Sequence, residues 1–144
     1  MAPEPELRID PEILNEHHRG TLTALLGARF VEAAKDRLVA ELTVREDLLT
    51  VGGRVHGGTL MSLADLVGAT GTFLNLPADA TGTTTLESKT NFFAGARGGL
   101  IRAEGTPIHR GRSTQVWQTR ITDEAGRLLS LTIQTQMVLR GSSS

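Results

Sequence analysis

The stretch Arg54-Val-His-Gly-Gly-Thr-Leu-Met-Ser-Leu-Ala-Asp-Leu-Val-Gly-Ala-Thr-Gly-Thr-Phe73 decides the fold of this chain. It begins with a glycine turn and continues with residues that recur at helical spacing: Leu60, Leu63, Ala64, Val67, Gly71 and Leu74. Between Arg54 and Asp79, Asp65 is the only side chain with a formal charge when histidine is neutral. A helix with so little charge on any face is typically buried. The stretch therefore predicts a long central helix that ends near Pro77 and Asp79.

Asp65 is the unusual residue of that helix. Burying a carboxylate costs roughly several kcal/mol unless it is hydrogen-bonded, paired or protonated. The sequence therefore indicates either a structural acid that caps a neighbouring backbone turn or a functional group.

The flanking segments predict short helices and an antiparallel sheet. Asp10-Pro11-Glu12 is a helix start followed by a short helix to Gly20, and residues 21–27 form a second short helical or turning segment. Residues 28–33 and 38–44 read as a hairpin. Four further strands are predicted at residues 83–93, 100–108, 113–122 and 128–139, with a turn at residues 123–126. In the last strand, we expect the face with Thr132, Gln134 and Gln136 to be the wetter one.

These elements predict an α+β domain in which one curved antiparallel sheet wraps around the central helix. At 144 residues the chain is long enough for one domain, with residues 1–9 as an irregular arm and residues 141–144 as a flexible tail. A single sheet of this size leaves part of an apolar helix uncovered. We therefore expect a homo-oligomer, at least a dimer.

Composition excludes several classes of function. Net charge is −1, so neither nucleic acid nor anionic lipid is expected as the main partner. The chain has no cysteine, which excludes disulfides, zinc–thiolate sites and a cysteine nucleophile and fits a cytoplasmic protein. We expect no secretory signal and no membrane span, and the scattered histidines predict no metal site.

Two motifs within this frame resemble a known family. His56-Gly57-Gly58 followed by Leu63-Ala64-Asp65 resembles the signature of hotdog-fold acyl-CoA thioesterases, most closely the phenylacetate-pathway and 4-hydroxybenzoyl-CoA type. Residues 85–93 resemble the strand that follows the helix in that family, and residues 110–114 resemble its CoA-binding turn. The resemblance covers roughly residues 20–140. It implies a hotdog fold, assembled as a dimer or a dimer of dimers, with active sites at the dimer interface.

The resemblance also implies roles for individual residues. Asp65 would be the catalytic carboxylate, Gly57 would supply the N–H that polarises the thioester carbonyl, and His56 would order the loop. Thr83 falls where the family often has a Ser or Thr that reaches the acid's site from the neighbouring subunit. Thr50 stands where the family commonly has Asn or Gln, so its role in holding the water or carbonyl is an open question. The residues of the CoA-binding turn would be Arg110, Arg112, Ser113 and Thr114; Arg97 is a further candidate for the CoA site only because a guanidinium suits phosphate.

Elementary chemistry agrees with these roles. A glycine turn at a helix start offers unobstructed N–H groups and the positive end of the helix dipole to an oxyanion. Asp65 lies about two turns further on and could act as a nucleophile or as a general base on water. Arginine guanidinium groups clamp phosphate oxygens, although turn arginines can also be merely solvated. A triad of Ser62, His56 and Asp65 is disfavoured, because nothing places Ser62 as an exposed nucleophile.

Three functions therefore compete. The first is an acyl-CoA thioesterase, with an aryl, phenylacetyl-like or medium-chain acyl group and no cofactor beyond the CoA of its substrate. The second is a non-catalytic acyl-CoA or ligand-binding protein, which Thr50 keeps open. The third is a hotdog dehydratase, which the order and spacing of His56 and Asp65 fit poorly.

Overall fold

Six antiparallel strands form one sheet around a single long helix in the computed structural model, which describes residues 8–142. This is the predicted α+β hotdog architecture. The helices are α1 (Pro11–His17), α2 (Leu22–Leu26) and α3 (Gly57–Leu74), with a 3-10 turn at Glu46–Leu48. The strands are β1 (Arg29–Ala33), β2 (Leu38–Thr43), β3 (Gly82–Phe92), β4 (Leu100–Arg110), β5 (Thr114–Thr122) and β6 (Leu128–Leu139).

The order of strands in the sheet is β1-β2-β4-β5-β6-β3, so β1 and β3 lie at its two edges. The β1 edge is partly covered, because Arg8 bridges Ala34 and the Ile9 N–H donates to the Ala33 carbonyl at 2.9 Å. Residues 8 and 9 of the predicted irregular arm are therefore ordered against the sheet. Within residues 8–142, the eleven-residue strand β3 pairs with β6 alone, and its outer edge is open.

Helix α3 lies against the concave face of the sheet, and two of its glycines allow this close approach. A Cβ atom at Gly71 would lie 2.6 Å from the Trp117 ring, and one at Gly68 would overlap the Gln134 amide. Leu63, Ala64 and Val67 are fully buried in the core on the same side. The helix ends at Leu74, three residues before Pro77, with Asn75 as its C-cap.

The polarity of β6 is the reverse of the expectation. Thr132, Gln134 and Gln136 are buried beneath α3, whereas Ile133 and Met137 are exposed on the outer face of the sheet. The prediction that the Thr/Gln face is the wetter one is therefore wrong. Its physical reason is that α3 presents glycines and Asp65 to this end of the sheet, so amide side chains fill the space and find partners there.

The short helices α1 and α2 leave part of α3 uncovered. Asp10 caps α1 as predicted, since its side chain accepts from the Glu12 N–H at 3.0 Å. Helix α2 ends at Gly27 in the left-handed conformation, at φ +79°. On α3, Met61 is 40% exposed and Phe73 is 52% exposed. An exposed apolar face of this kind, next to an open sheet edge, is the surface that was expected to require a second copy.

Candidate active site

The first turn of α3 presents a backbone donor. His56 is the N-cap, and its Nδ1 accepts from the Gly58 N–H at 2.8 Å, which makes Nδ1 the unprotonated nitrogen. The Gly57 N–H donates to no acceptor within residues 8–142. His56 thus caps the first turn of α3 and leaves Gly57 as the unoccupied donor at the positive end of the helix dipole.

An open cleft of about 670 Å³ lies in front of this donor. It is lined by Gly57, Thr50, Arg54 and the aromatic side chains of Phe92 and Phe93. The Thr50 hydroxyl oxygen accepts from the Gly52 N–H at 3.0 Å, and the hydroxyl hydrogen is available to another acceptor. Thr50 therefore shares a cleft with Gly57, as the motif comparison implied, but its hydroxyl oxygen serves the local turn.

Asp65 is half-buried in the middle of α3, and two side chains hold one of its oxygens. The Thr85 hydroxyl donates to Asp65 Oδ1 at 2.8 Å, and Gln134 Nε2 donates to the same atom at 3.1 Å. Asp65 Oδ2 has no hydrogen bond within the described part of the chain. The carboxylate is therefore anchored through one oxygen and open through the other.

Thr83 does not contact Asp65 within the chain. Its hydroxyl donates to the Met137 carbonyl at 2.9 Å and lies 3.3 Å from Gln136 Oε1. Gln136 Nε2 in turn donates to the Thr85 hydroxyl at 2.7 Å. Thr83 is thus connected to the acid through Gln136 and Thr85, and a contact of Thr83 across a subunit interface stays a prediction.

Asp65 also lines a groove of about 270 Å³ between α2 and α3, together with His18, Leu22, Ser62 and Thr70. His18 Nε2 lies 3.5 Å from the Thr70 hydroxyl, and burial, with repulsion from His17, lowers the pKa of His18. The groove thus holds the Asp65 carboxylate and an imidazole that is neutral at neutral pH among polar and apolar side chains. Ser62 makes no hydrogen bond to His56 here, so the structure assembles no triad.

Gly57 and Asp65 open onto different clefts of one protomer. They are eight residues apart on a straight helix, which corresponds to a rise of about 12 Å. A general base and an oxyanion donor must both lie about 3 Å from the same reacting group. Within one protomer, Gly57 and Asp65 therefore cannot both reach one thioester, and the expected site at a dimer interface stays a prediction.

The five residues expected at the CoA site fall in two places. Arg110, Arg112, Ser113 and Thr114 form the β4–β5 turn beside Asn75, at the C-terminal end of α3. Arg110 donates to Asn75 Oδ1 at 3.3 Å, whereas the Arg112 guanidinium meets no acceptor within residues 8–142. Arg97 lies near Gly53, which precedes the N-terminal end of α3. One protomer thus separates Arg97 from the other four.

Two residues that the sequence reading missed, Thr85 and Gln134, are the direct partners of Asp65. Thr85 lies on β3 and Gln134 lies on β6, two strands that pair although they are far apart in the sequence. Thr85 is opposite Gln136, and Gln134 is opposite Ser88. One residue of the sequence does indicate that a side chain from the sheet approaches the helix near Asp65. Gly68, one turn after Asp65, leaves room for a large side chain from the sheet.

Comparison with known proteins finds similarity to thioesterases and esterases. A model of the thioesterase superfamily matches residues 52–130. A putative esterase of Deinococcus radiodurans is 33% identical over 138 residues, which cover 90% of this chain and 86% of the relative. A 1,4-dihydroxy-2-naphthoyl-CoA hydrolase of Escherichia coli is 32% identical over 132 residues, which cover 92% of this chain and 96% of the relative.

Solved structures agree. A mutant thioesterase of Pseudomonas aeruginosa superposes with a TM-score of 0.88 at 28% identity, covering 92% of this chain and 96% of that one. The PaaI protein from the phenylacetic acid degradation operon of E. coli superposes with a TM-score of 0.80 at 19% identity and shares the fold; 92% of this chain and 94% of that one are covered. In residues 8–142, no helix has the length and apolar character needed to cross a bilayer.

Proposed function

The chain belongs to the thioesterase superfamily and is a thioester hydrolase, and from that premise we propose that it hydrolyses acyl-CoA esters with Asp65 as its catalytic carboxylate. The observation that carries this proposal is the asymmetric anchoring of Asp65. One oxygen is held by Thr85 and Gln134, while Oδ2 has no hydrogen-bond partner in the described residues and the residue lines a groove. A carboxylate that is fixed in orientation yet open at one oxygen is suited to activate water or to attack a carbonyl carbon.

We favour the general-base route. Asp65 Oδ2 would take a proton from water as the water oxygen attacks the carbonyl carbon. The developing oxyanion would accept from the Gly57 N–H, and the C–S bond would then break to release CoA thiolate and the free acid. No strong general acid is required, because a thiolate is a good leaving group.

The site in this proposal is shared between two copies of the chain. The rise of about 12 Å between Gly57 and Asp65 prevents one protomer from supplying both groups to one thioester. A second copy that extends the sheet at the open β3 edge and covers the exposed face of α3 would bring Asp65 of one copy near Gly57 of the other. The dimer, and any dimer of dimers, is thus part of the proposal.

The acyl group is assigned to the aryl class. The described E. coli relative is named for a dihydroxynaphthoyl ester, and the cleft in front of Gly57 is bordered by Phe92 and Phe93. Aromatic side chains in a cleft favour flat apolar ligands. Phenylacetyl and medium-chain acyl groups are the other members of the test panel.

The CoA nucleotide is assigned to the β4–β5 turn, with Arg112 as its principal phosphate ligand, since its guanidinium makes no hydrogen bond or ion pair in residues 8–142 and has only a longer-range attraction to Asp79. Arg97 would contact the same nucleotide only from the other subunit. No cofactor beyond the CoA of the substrate is required by this chemistry, and the proposal keeps the cytoplasmic location expected from composition.

The test is release of free thiol from aryl- and aliphatic-CoA esters by the wild type and by Asp65→Asn. We expect turnover to fall by about 10³-fold or more, given the size of general-base and positioning effects. Glu16→Gln is the matched control, because Glu16 is an exposed acid paired with Arg19 at 2.7 Å. An active Asp65→Asn variant would refute the assignment.

Subunit mixing tests the shared site. Gly57→Pro removes the N–H donor. Proline suits the first helical position and the extended His56 before it, and the Phe92 ring, 3.1 Å from a Cβ at this position, must shift slightly to accept it. We expect Gly57→Pro and Asp65→Asn each to be inactive and their refolded mixture to regain up to about a quarter of wild-type activity, the share of sites that a random mixture makes intact. No recovery in proven mixed dimers would contradict the shared site.

A non-catalytic binding protein is the second candidate, and Thr50 is the observation that favours it. Its hydroxyl oxygen is engaged by the Gly52 N–H, and a threonine offers no amide to a water or carbonyl. Tight binding of acyl-CoA without thiol release from any ester of the panel would favour this function.

A further inference from the structure

We propose that Gln134 is a positioning residue that fixes the Asp65 carboxylate and determines which of its two oxygens reacts. This inference rests on the proposed function, because it concerns the same acid. It adds a residue that lies outside the glycine turn and the acid-bearing motif on which the function was argued.

The first argument is the confinement of the Gln134 side chain. It is fully buried, at 0% exposure, on the face of β6 that packs beneath α3. Its Nε2 lies 3.1 Å from Asp65 Oδ1 and 3.5 Å from the Asp65 carbonyl oxygen. Its amide group occupies the space that a Cβ atom at Gly68 would take. The amide therefore packs directly against the α3 backbone at Gly68, and its Nε2 donor stays directed at Asp65 Oδ1.

The second argument is the cost of this arrangement. Gln134 Oε1 is buried and has no hydrogen-bond partner within residues 8–142. An unsatisfied buried carbonyl destabilises a fold, and an apolar side chain of similar length would fill the same space without that cost. A residue that breaks a local packing rule in contact with an acid is more readily explained by function than by stability.

The third argument is the direction of the neighbouring hydrogen bonds. Gln136 Nε2 donates to the Thr85 hydroxyl at 2.7 Å, so the Thr85 hydrogen is free to point at Asp65 Oδ1, 2.8 Å away. Two donors consequently converge on Oδ1. These two hydrogen bonds occupy Oδ1, so Oδ2 is the oxygen left to react.

The experiment compares Gln134→Met with the matched control Gln115→Met. Gln115 is also a buried glutamine, but it donates to the Asn75 carbonyl at 3.0 Å and lies away from Asp65. We expect Gln134→Met to lower kcat by about 10- to 100-fold, the factor that corresponds to a hydrogen bond to a charged group, with KM within about twofold. Gln115→Met should lower stability but leave kcat within about twofold. Wild-type kcat in folded Gln134→Met would overturn the proposal.

An independent variant reaches the same amide from the helix. Gly68→Ala places a methyl group where the Gln134 amide lies. Because both changes would act by removing the same donor from Asp65, we expect the kcat of the Gly68→Ala, Gln134→Met double variant to be within about threefold of the lower single variant. Multiplication of the two losses would overturn the proposal.

A measurement without substrate separates this inference from the proposed function. Denaturant unfolding of wild type, Gln134→Met, Asp65→Ala and the double variant gives the coupling between the two side chains. We expect a coupling of about tenfold or more in the unfolding equilibrium constant. If the wild type releases no thiol from any ester, the proposed function fails while this coupling still supports the positioning contact. Additive effects would overturn the positioning contact even in an active enzyme.

Discussion

Replacing Gly71 with alanine tests whether the sheet holds α3 as closely as the structure indicates. A Cβ atom at Gly71 would lie 2.6–2.8 Å from three atoms of the Trp117 ring, and Trp117 is fully buried at 0% exposure. In an open helix the same change gains about 1 kcal/mol, because glycine is the weaker helix former. Overpacking a well-filled core typically costs about 1–3 kcal/mol.

The rigid ring places this site at the upper end of that range. We therefore expect Gly71→Ala to lower the free energy of unfolding by about 1–2 kcal/mol net, from the two opposing effects. For a chain of this length that corresponds to a fall in Tm of roughly 3–8 °C. Since α3 carries both Gly57 and Asp65, its displacement should also reduce kcat.

The assay is thermal and denaturant unfolding of Gly71→Ala beside Gly98→Ala, a control where a Cβ would meet nothing within 4 Å. A second comparison uses Trp117→Phe, which removes the outer ring that the methyl group meets. The cost of Gly71→Ala should be smaller in that background, so the two changes should not add. A Gly71→Ala protein as stable as the wild type would refute the reasoning.

Two further predictions concern the groove and the nucleotide. His18→Asn should remove a pH dependence of stability. Because the pKa of His18 is lowered in the folded protein, the unfolded state binds the proton first as pH falls. The wild type should therefore lose stability below about pH 6.5. Unfolding of both proteins between pH 7.5 and pH 5.5 checks this, and equal slopes would contradict it. Arg112→Ala should raise KM for acyl-CoA about 5- to 30-fold with little change in kcat, and should not affect a short thioester that lacks the nucleotide. Arg19→Ala, at an exposed ion pair, is the control, and equal effects on both substrates would exclude phosphate binding by Arg112.

The sequence predicts most of the fold because its signals are local. The alternation in residues 38–44, the cap at Asp10-Pro11 and the glycine turn at Gly57 each depend on neighbouring residues only. Strand β6 shows where this reasoning ends. Its period of two separates two faces but does not say which one packs on the helix. That choice depends on Gly68 and Asp65, which precede the strand by at least sixty residues.

The same distinction applies to the site. His56, Gly57 and Asp65 lie within ten residues, and a motif can identify them. The partners of Asp65 lie 20 and 69 residues away, and they depend on the strand register, which includes an irregularity between Thr85 and Glu87. No local pattern encodes that register. Thr83 is predicted to reach the acid from the neighbouring subunit, and that stays a prediction; within one chain, the threonine that contacts Asp65 is Thr85.

The open edge of β3 creates a risk of aggregation while the chain is being synthesised. The outer edge of this eleven-residue strand, with Leu86 and Phe92 exposed, is a template for any extended segment that pairs with it before a second copy does. Glu87 and Lys89 place charges on that edge and oppose such errors. If the chain forms the proposed dimer, folded monomers at high rates of expression would divide between assembly and aggregation, and slower synthesis at lower temperature should favour assembly.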